Sequence, residues 1–167
     1  MTDKTVMPEP IRLGEHLQTT MYSPLHHWEN ADPDPMGRRC VMGYPLPSWQ
    51  RGLVWTEAQM VKLLESAWRG LSIGTYTVNQ SPKYSGEFDG ILIDGQQRLY
   101  ALQCYFEGKF PVYGYGWHEI TDVDRRGFLM GRHFSSYITK TDDETYLREY
   151  YNLMNFGGVA HAESERA

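Results

Sequence analysis

Little in this 167-residue chain could cross-link it, anchor it in a membrane or coat it in positive charge. It has two cysteines, Cys40 and Cys104, far apart and outside any CxxC pair. Two isolated thiols exclude a cysteine zinc cluster and a disulfide framework, and they fit a reducing compartment. No apolar run approaches the roughly 18–20 residues that a membrane-spanning helix needs. The opening MTDKTVMPEPIRLGEH has no apolar signal-peptide core, so a cytoplasmic location without membrane partners is expected. Positive charge is also scarce, with 16 Lys plus Arg against 21 Asp plus Glu and a net charge of −5. That balance argues against coating nucleic acid through bulk charge, although a local basic groove remains compatible with it. There is no GxxxxGK[ST] segment, which excludes P-loop chemistry, and there is no internal repeat or low-complexity stretch.

What the chain does have is apolar and aromatic mass. Hydrophobic residues make up 41% and aromatics 14%, enough for one core. The length suits a single domain. Residues 1–40 read as an irregular segment packed on or flanking that core, and 41–167 as the domain proper. Tyr22 to Arg39 reads as loop because Pro24, Pro33 and Pro35 interrupt it. Its pair His26-His27 falls short of the three or four convergent ligands that a metal site needs. Order is expected from Val41.

Thr56 and Gln59 are spaced as a capping box, and Met60, Leu63, Leu64, Ala67 and Trp68 recur at helical spacing before Gly70. Ser72 to Val78 reads as strand, Asn79 to Gly90 as a polar turn region, and Ile91 to Ile93 as a short buried strand. Leu99, Leu102, Tyr105 and Phe106 give the next helix its face. Phe110 to Trp117 is strand-like, Thr121 caps a helix over 122–131, and Phe134 to Thr139 is a strand. Thr141 and Glu144 form a second capping box for a helix ending near Asn155. The expected class is α+β.

Ile91 to Arg98, ILIDGQQR, carries the most chemistry. A strand turning through glycine into a helix leaves the amides of Gly95, Gln96 and Gln97 among the unpaired donors of the helix N-terminus, which favours an anion. Arg98, one turn in, offers a forked guanidinium to phosphate oxygens. Asp94 can cap the helix or help hold a divalent cation. A purely structural account also exists, in which Asp94 is an N-cap and Arg98 pairs with a nearby carboxylate. A second element is Ser48-Trp49-Gln50-Arg51 with Trp55, where an arginine–aromatic contact suffices as explanation. A third is Asn155 to Gly158, readable as a left-handed helix cap or as a place where a ligand approaches backbone.

Taken in order, PLPSWQRGLVW, IDGQQR and LMNFGGVAHAESE resemble the DGQQR-containing family typified by the N-terminal domain of GmrSD-type restriction enzymes. The matching positions are Pro47, Gln50, Arg51 and Trp55; Asp94 to Arg98; and Asn155, Gly158 and Glu165. The resemblance spans about residues 41–165. It implies a ParB/sulfiredoxin-like fold, a small mixed sheet flanked by helices, in which the DGQQR segment binds nucleotide phosphates and magnesium. It also implies NTP hydrolysis and cleavage or nicking of DNA. Sulfiredoxins carry a catalytic cysteine where this chain has Gln96-Gln97, so reductase chemistry is disfavoured and Cys104 reads as a core thiol. Larger family members continue into a helical region and often a nuclease domain.

Under this resemblance the catalytic candidates are Asp94, Gln96, Gln97 and Arg98. The phosphate-binding candidates are Gln50, Arg51, Gly95, Gln96, Gln97, Arg98, Asn155 and Gly158. Asp94 and Glu165 are the metal candidates for Mg2+, with NTP as substrate or ligand. Gln96 or Gln97 would orient a water, and His161 and Glu163 are further acid–base candidates. The alternative is a non-catalytic nucleotide- or DNA-binding switch or inhibitor, of the kind a phage or plasmid encodes in restriction or anti-defence. A vestigial, partner-binding version is a third reading. If DNA binds, Arg38, Arg39, Arg125, Arg126 and Arg132 are its expected phosphate contacts. A homodimer or a separate effector or nuclease protein is the expected macromolecular partner. The identity of the base stays open.

Overall fold

The computed structural model describes residues 6–156. Its centre is a four-stranded mixed sheet in the order β1-β6-β4-β5, built from Glu15–Leu17 (β1), Tyr76–Asn79 (β4), Ile91–Asp94 (β5) and Ser136–Thr139 (β6). β1 runs antiparallel to β6, β6 parallel to β4, and β4 antiparallel to β5. A small hairpin, Cys40–Val41 (β2) with Tyr44–Pro45 (β3), stands apart. The helices are Tyr22–Asn30 (α1), Glu57–Trp68 (α2), Gln96–Phe106 (α3), Asp122–Gly131 (α4) and Glu144–Phe156 (α5). The α+β expectation holds.

Strand alternation divides the apolar residues between the two faces of the sheet. Tyr76, Val78 and Leu92 join the main core, with Leu64 and Ala67 of α2 and Leu99, Leu102 and Tyr105 of α3. Ile91 and Ile93 join a second, smaller cluster with Leu147, Tyr150 and Tyr151 of α5. Thr77, fully buried on that second face, is satisfied by a 3.0 Å hydrogen bond to the Tyr150 hydroxyl. The sheet thus lies between α2/α3 and α5, and β5 ends where both layers meet.

α2 begins as its sequence requires, with both halves of the Thr56–Gln59 capping box formed. Thr121 caps α4 through the Asp124 amide at 3.1 Å. Cys104 is buried in the main core. Four expectations need correction. Residues 22–30 form a helix, because Pro24 sits in the first turn, where its missing N–H costs no hydrogen bond. Order also begins well before Val41, since β1 pairs with β6 and Met21 is fully buried. Phe110 to Trp117 is a turn region with a single bridge between Val112 and Tyr115, not a strand. At α5, Asp143 supplies the cap, accepting from the Thr145 and Tyr146 amides at 2.9 and 3.3 Å, while Thr141 only supports Asp143.

Candidate functional site

Gly95 makes the turn from β5 into α3 with φ +94°. A β-carbon there would lie 2.6 Å from Tyr76 Cβ and 3.0 Å from Tyr76 Cα, so glycine is required by both conformation and space. Gly95 is the N-cap of α3, and no side chain caps the helix. Asp94 therefore does not cap the helix. Its Oδ2 instead accepts from Arg98 Nη2 at 2.8 Å, an i,i+4 ion pair that makes Asp94 itself the carboxylate beside Arg98. Arg98 Nη2 also donates to the Thr75 carbonyl, while its Nε is buried without a partner.

Gln50, Arg51, Trp55, Asp94 to Arg98 and Asn155 line one cavity of about 70 Å³, closed on another side by Tyr151. The described residues of the first two sequence motifs and Asn155 of the third, remote along the chain, therefore meet at one place. Three glutamines there are almost fully buried, Gln50 at 7%, Gln96 at 5% and Gln97 at 6% exposure. Gln50 Nε2 bridges the carbonyls of Leu92 and Ile93, and Gln96 Nε2 donates to the Arg51 carbonyl at 2.8 Å. The Oε1 atoms of both have no protein partner. A buried amide oxygen left unpaired costs about 1–3 kcal/mol. Both residues line the cavity.

Gln97 is different. Its Oε1 accepts from the Val54 and Trp55 amides at 3.1 and 3.2 Å, and its Nε2 donates to the Gly52 carbonyl at 3.0 Å. It fastens the 52–55 loop over the helix N-terminus. Arg51 is held through its backbone, whose N–H donates to the Tyr151 hydroxyl at 3.3 Å. No ion pair engages its exposed guanidinium among the described residues. Asn155 is tied to its own helix by a 2.9 Å bond to the Tyr151 carbonyl.

Gly158, His161, Glu163 and Glu165 lie outside the described residues. Among the described residues no group of three His, Cys, Asp or Glu side chains is placed to hold a metal. Among the described residues Asp94 is the single carboxylate lining the cavity. It suits an ion whose other ligands are phosphate and water, as magnesium usually takes them, and not a protein-built metal cage. His27 stacks on Tyr44 at 3.8 Å between ring centres, and desolvation holds its pKa below the usual histidine value.

The five candidate DNA-binding arginines do not form one patch. Arg38 is locked to Asp34, with Nη2–Oδ1 at 2.7 Å, and to the Glu87 carbonyl at 2.5 Å. This pairing lowers the Asp34 carboxyl to about 2. Arg39 donates to the Arg51 carbonyl at 3.1 Å, beside the site. Arg125 and Arg126 ride on α4, whose Phe128 packs against Tyr105 and Phe106 at the far end of α3. Arg125 is paired with Asp122, and Arg132 donates to the Trp68 carbonyl.

Residues 37–156 match the family described as GmrSD restriction endonuclease, N-terminal domain. That is more than two thirds of the chain and includes every described part of the cavity. The chain belongs to this family of restriction-endonuclease-associated domains. No curated protein and no solved structure gives a significant match. No helix among the described residues is long and apolar enough to cross a membrane.

Proposed function

We propose that this domain binds a nucleoside triphosphate by its phosphates at the N-terminus of α3 and hydrolyses it with magnesium, in support of DNA nicking. One observation carries the reading: an uncapped helix N-terminus lines a small cavity together with Gln50, Gln96 and Arg98, each of which carries a buried polar atom without a partner. The uncapped amide end and the Arg51 and Arg98 guanidinium groups favour phosphate oxygens. The volume of about 70 Å³ admits a phosphate group or a few waters, not a nucleoside.

Gln96 Oε1 and Gln50 Oε1 are acceptors, so each can take an O–H of one water and turn its lone pair towards a bound phosphorus. Arg98 then spreads charge from the oxygens of the transferred group, and Arg51 closes over them. Magnesium, carried in with the nucleotide, would neutralise phosphate charge against Asp94. Gln97 keeps the 52–55 loop in place.

A second reading has its own support. Asp94 is bound to Arg98 and no other carboxylate lines the cavity, which leaves no strong general base among the described residues. The domain then acts as a switch that binds nucleotide and signals to a separate effector. Titration of ATP, GTP and CTP with and without magnesium, followed by phosphate release, separates the two. Binding with turnover that Gln96→Leu abolishes at retained affinity supports the hydrolase. Binding without turnover, even with DNA present, selects the switch. No binding at millimolar nucleotide refutes both.

A further inference from the structure

A larger cavity, about 520 Å³, adjoins the small one and shares Gln50 with it. We infer that this second cavity holds the nucleobase of the ligand whose phosphates sit at α3. The inference rests on the phosphate reading above and names the part of the ligand that the small cavity cannot contain.

Its walls fit a flat heterocycle. Trp49 and Phe88 are half-buried rings that both line it, with the aliphatic surfaces of Leu46 and Pro47 between them. Polar side chains line the same space as well: Arg38, Arg39, Ser48, Gln50 and the exposed Glu87. A mostly apolar pocket of about 300–1,000 Å³ with a few polar groups is the usual form of a small-molecule site. Aromatic faces supply sequence-tolerant stacking, and a donor beside an acceptor can read a base edge.

The cavity is also held open before any ligand arrives. Arg38, on its wall, is fixed by the Asp34 carboxylate and the Glu87 carbonyl. Trp49 is braced by Tyr151, with ring centres 5.3 Å apart, and by the Arg148 guanidinium 5.4 Å from its ring centre. Tyr151 reaches the phosphate side as well, accepting from the Arg51 amide. One tyrosine thus braces both halves, as a site for one ligand with a charged and a flat end requires.

Isothermal titration of the full chain with a nucleoside triphosphate and, separately, with inorganic triphosphate tests this. The wild type should bind the nucleotide more tightly than triphosphate. Phe88→Ala should weaken nucleotide binding by about tenfold, the range of one lost base–aromatic stack, and leave triphosphate within about twofold. Because Phe88 also packs against the smaller core, Glu87→Ala, which removes an exposed side chain with no bond to the phosphate side, provides a second variant and should show the same selectivity. Equal wild-type affinity for both ligands, or equal loss of both in the two variants, overturns the base pocket while leaving the phosphate site standing. Failure of both ligands to bind the wild type overturns the phosphate reading and this inference together. A single-stranded oligonucleotide that binds through Phe88 and Glu87 where the mononucleotide does not overturns the assignment to a free nucleotide.

Discussion

Arg98 has a structural role and a proposed phosphate-binding role, and the two separate in a mutant pair. Arg98→Met removes the 2.8 Å bond to Asp94, whose side chain is 9% exposed against 26% for Arg98. Breaking a fully buried ion pair costs about 3–5 kcal/mol because one charge is left unpaired in low dielectric. This pair borders an open cavity, so water reaches the stranded carboxylate and a loss of about 2 kcal/mol is the better figure. For a chain of this size that is a fall of roughly 4–8 °C in melting temperature. Asp94→Asn on top of Arg98→Met removes the stranded charge and should recover at least about half of the loss. Nucleotide binding should not recover, since the guanidinium is gone in both. Calorimetric melting and titration of the single and double variants give the full cycle. Retained phosphate affinity in the double mutant would refute the functional role of Arg98. No recovery of stability would refute the claim that its first partner is Asp94.

Other changes test neighbouring parts of the argument. Gly95→Ala forces φ +94° on a residue with a β-carbon and drives that atom against Tyr76, so a loss of about 2–4 kcal/mol is expected by denaturant titration. A loss below about 1 kcal/mol would mean that the turn relaxes freely. Gln97→Ala removes three hydrogen bonds to the 52–55 loop and should raise protease cleavage and amide exchange there before it alters the rest of the chain. The Asp34 carboxyl, held at about 2 in the folded protein, gives a pH test. Its unfolded form binds protons first, so the stabilising contribution is complete above about pH 4 and is lost as pH falls towards 2. Asp34→Asn should flatten the acid limb of a melting-temperature profile in that window.

The parts of this molecule that could be read from sequence were those set by local rules. The Thr56–Gln59 box, the helical face from Leu99 to Phe106 and the strand–Gly95–helix turn all involve residues close in sequence, where period and capping chemistry decide. That Arg98 pairs with a nearby carboxylate was one sequence reading, but that the carboxylate is Asp94, read there as a helix cap, was not. α1 was hidden because Pro24 reads as a breaker until its place in the first turn is known. Phe110 to Trp117 misled through its β-prone Val112, Tyr113, Tyr115 and Trp117, although Pro111, Gly114 and Gly116 favour turns. The division of labour between the two adjacent glutamines was out of reach. Gln97 is tied to residues about 42–45 positions away, whereas the amide oxygen of Gln96 is left open, and only tertiary contact tells them apart.

The central claim is that phosphate oxygens meet the backbone amides at the start of α3. Amide chemical shifts of an isotopically labelled chain, followed by NMR during titration with a nucleoside triphosphate and magnesium, test it most directly. The account predicts saturable shifts that are largest at Gly95, Gln96 and Gln97, accompanied by the side-chain amides of Gln50 and Gln96. Saturable shifts centred elsewhere, with those three amides unmoved, would contradict it.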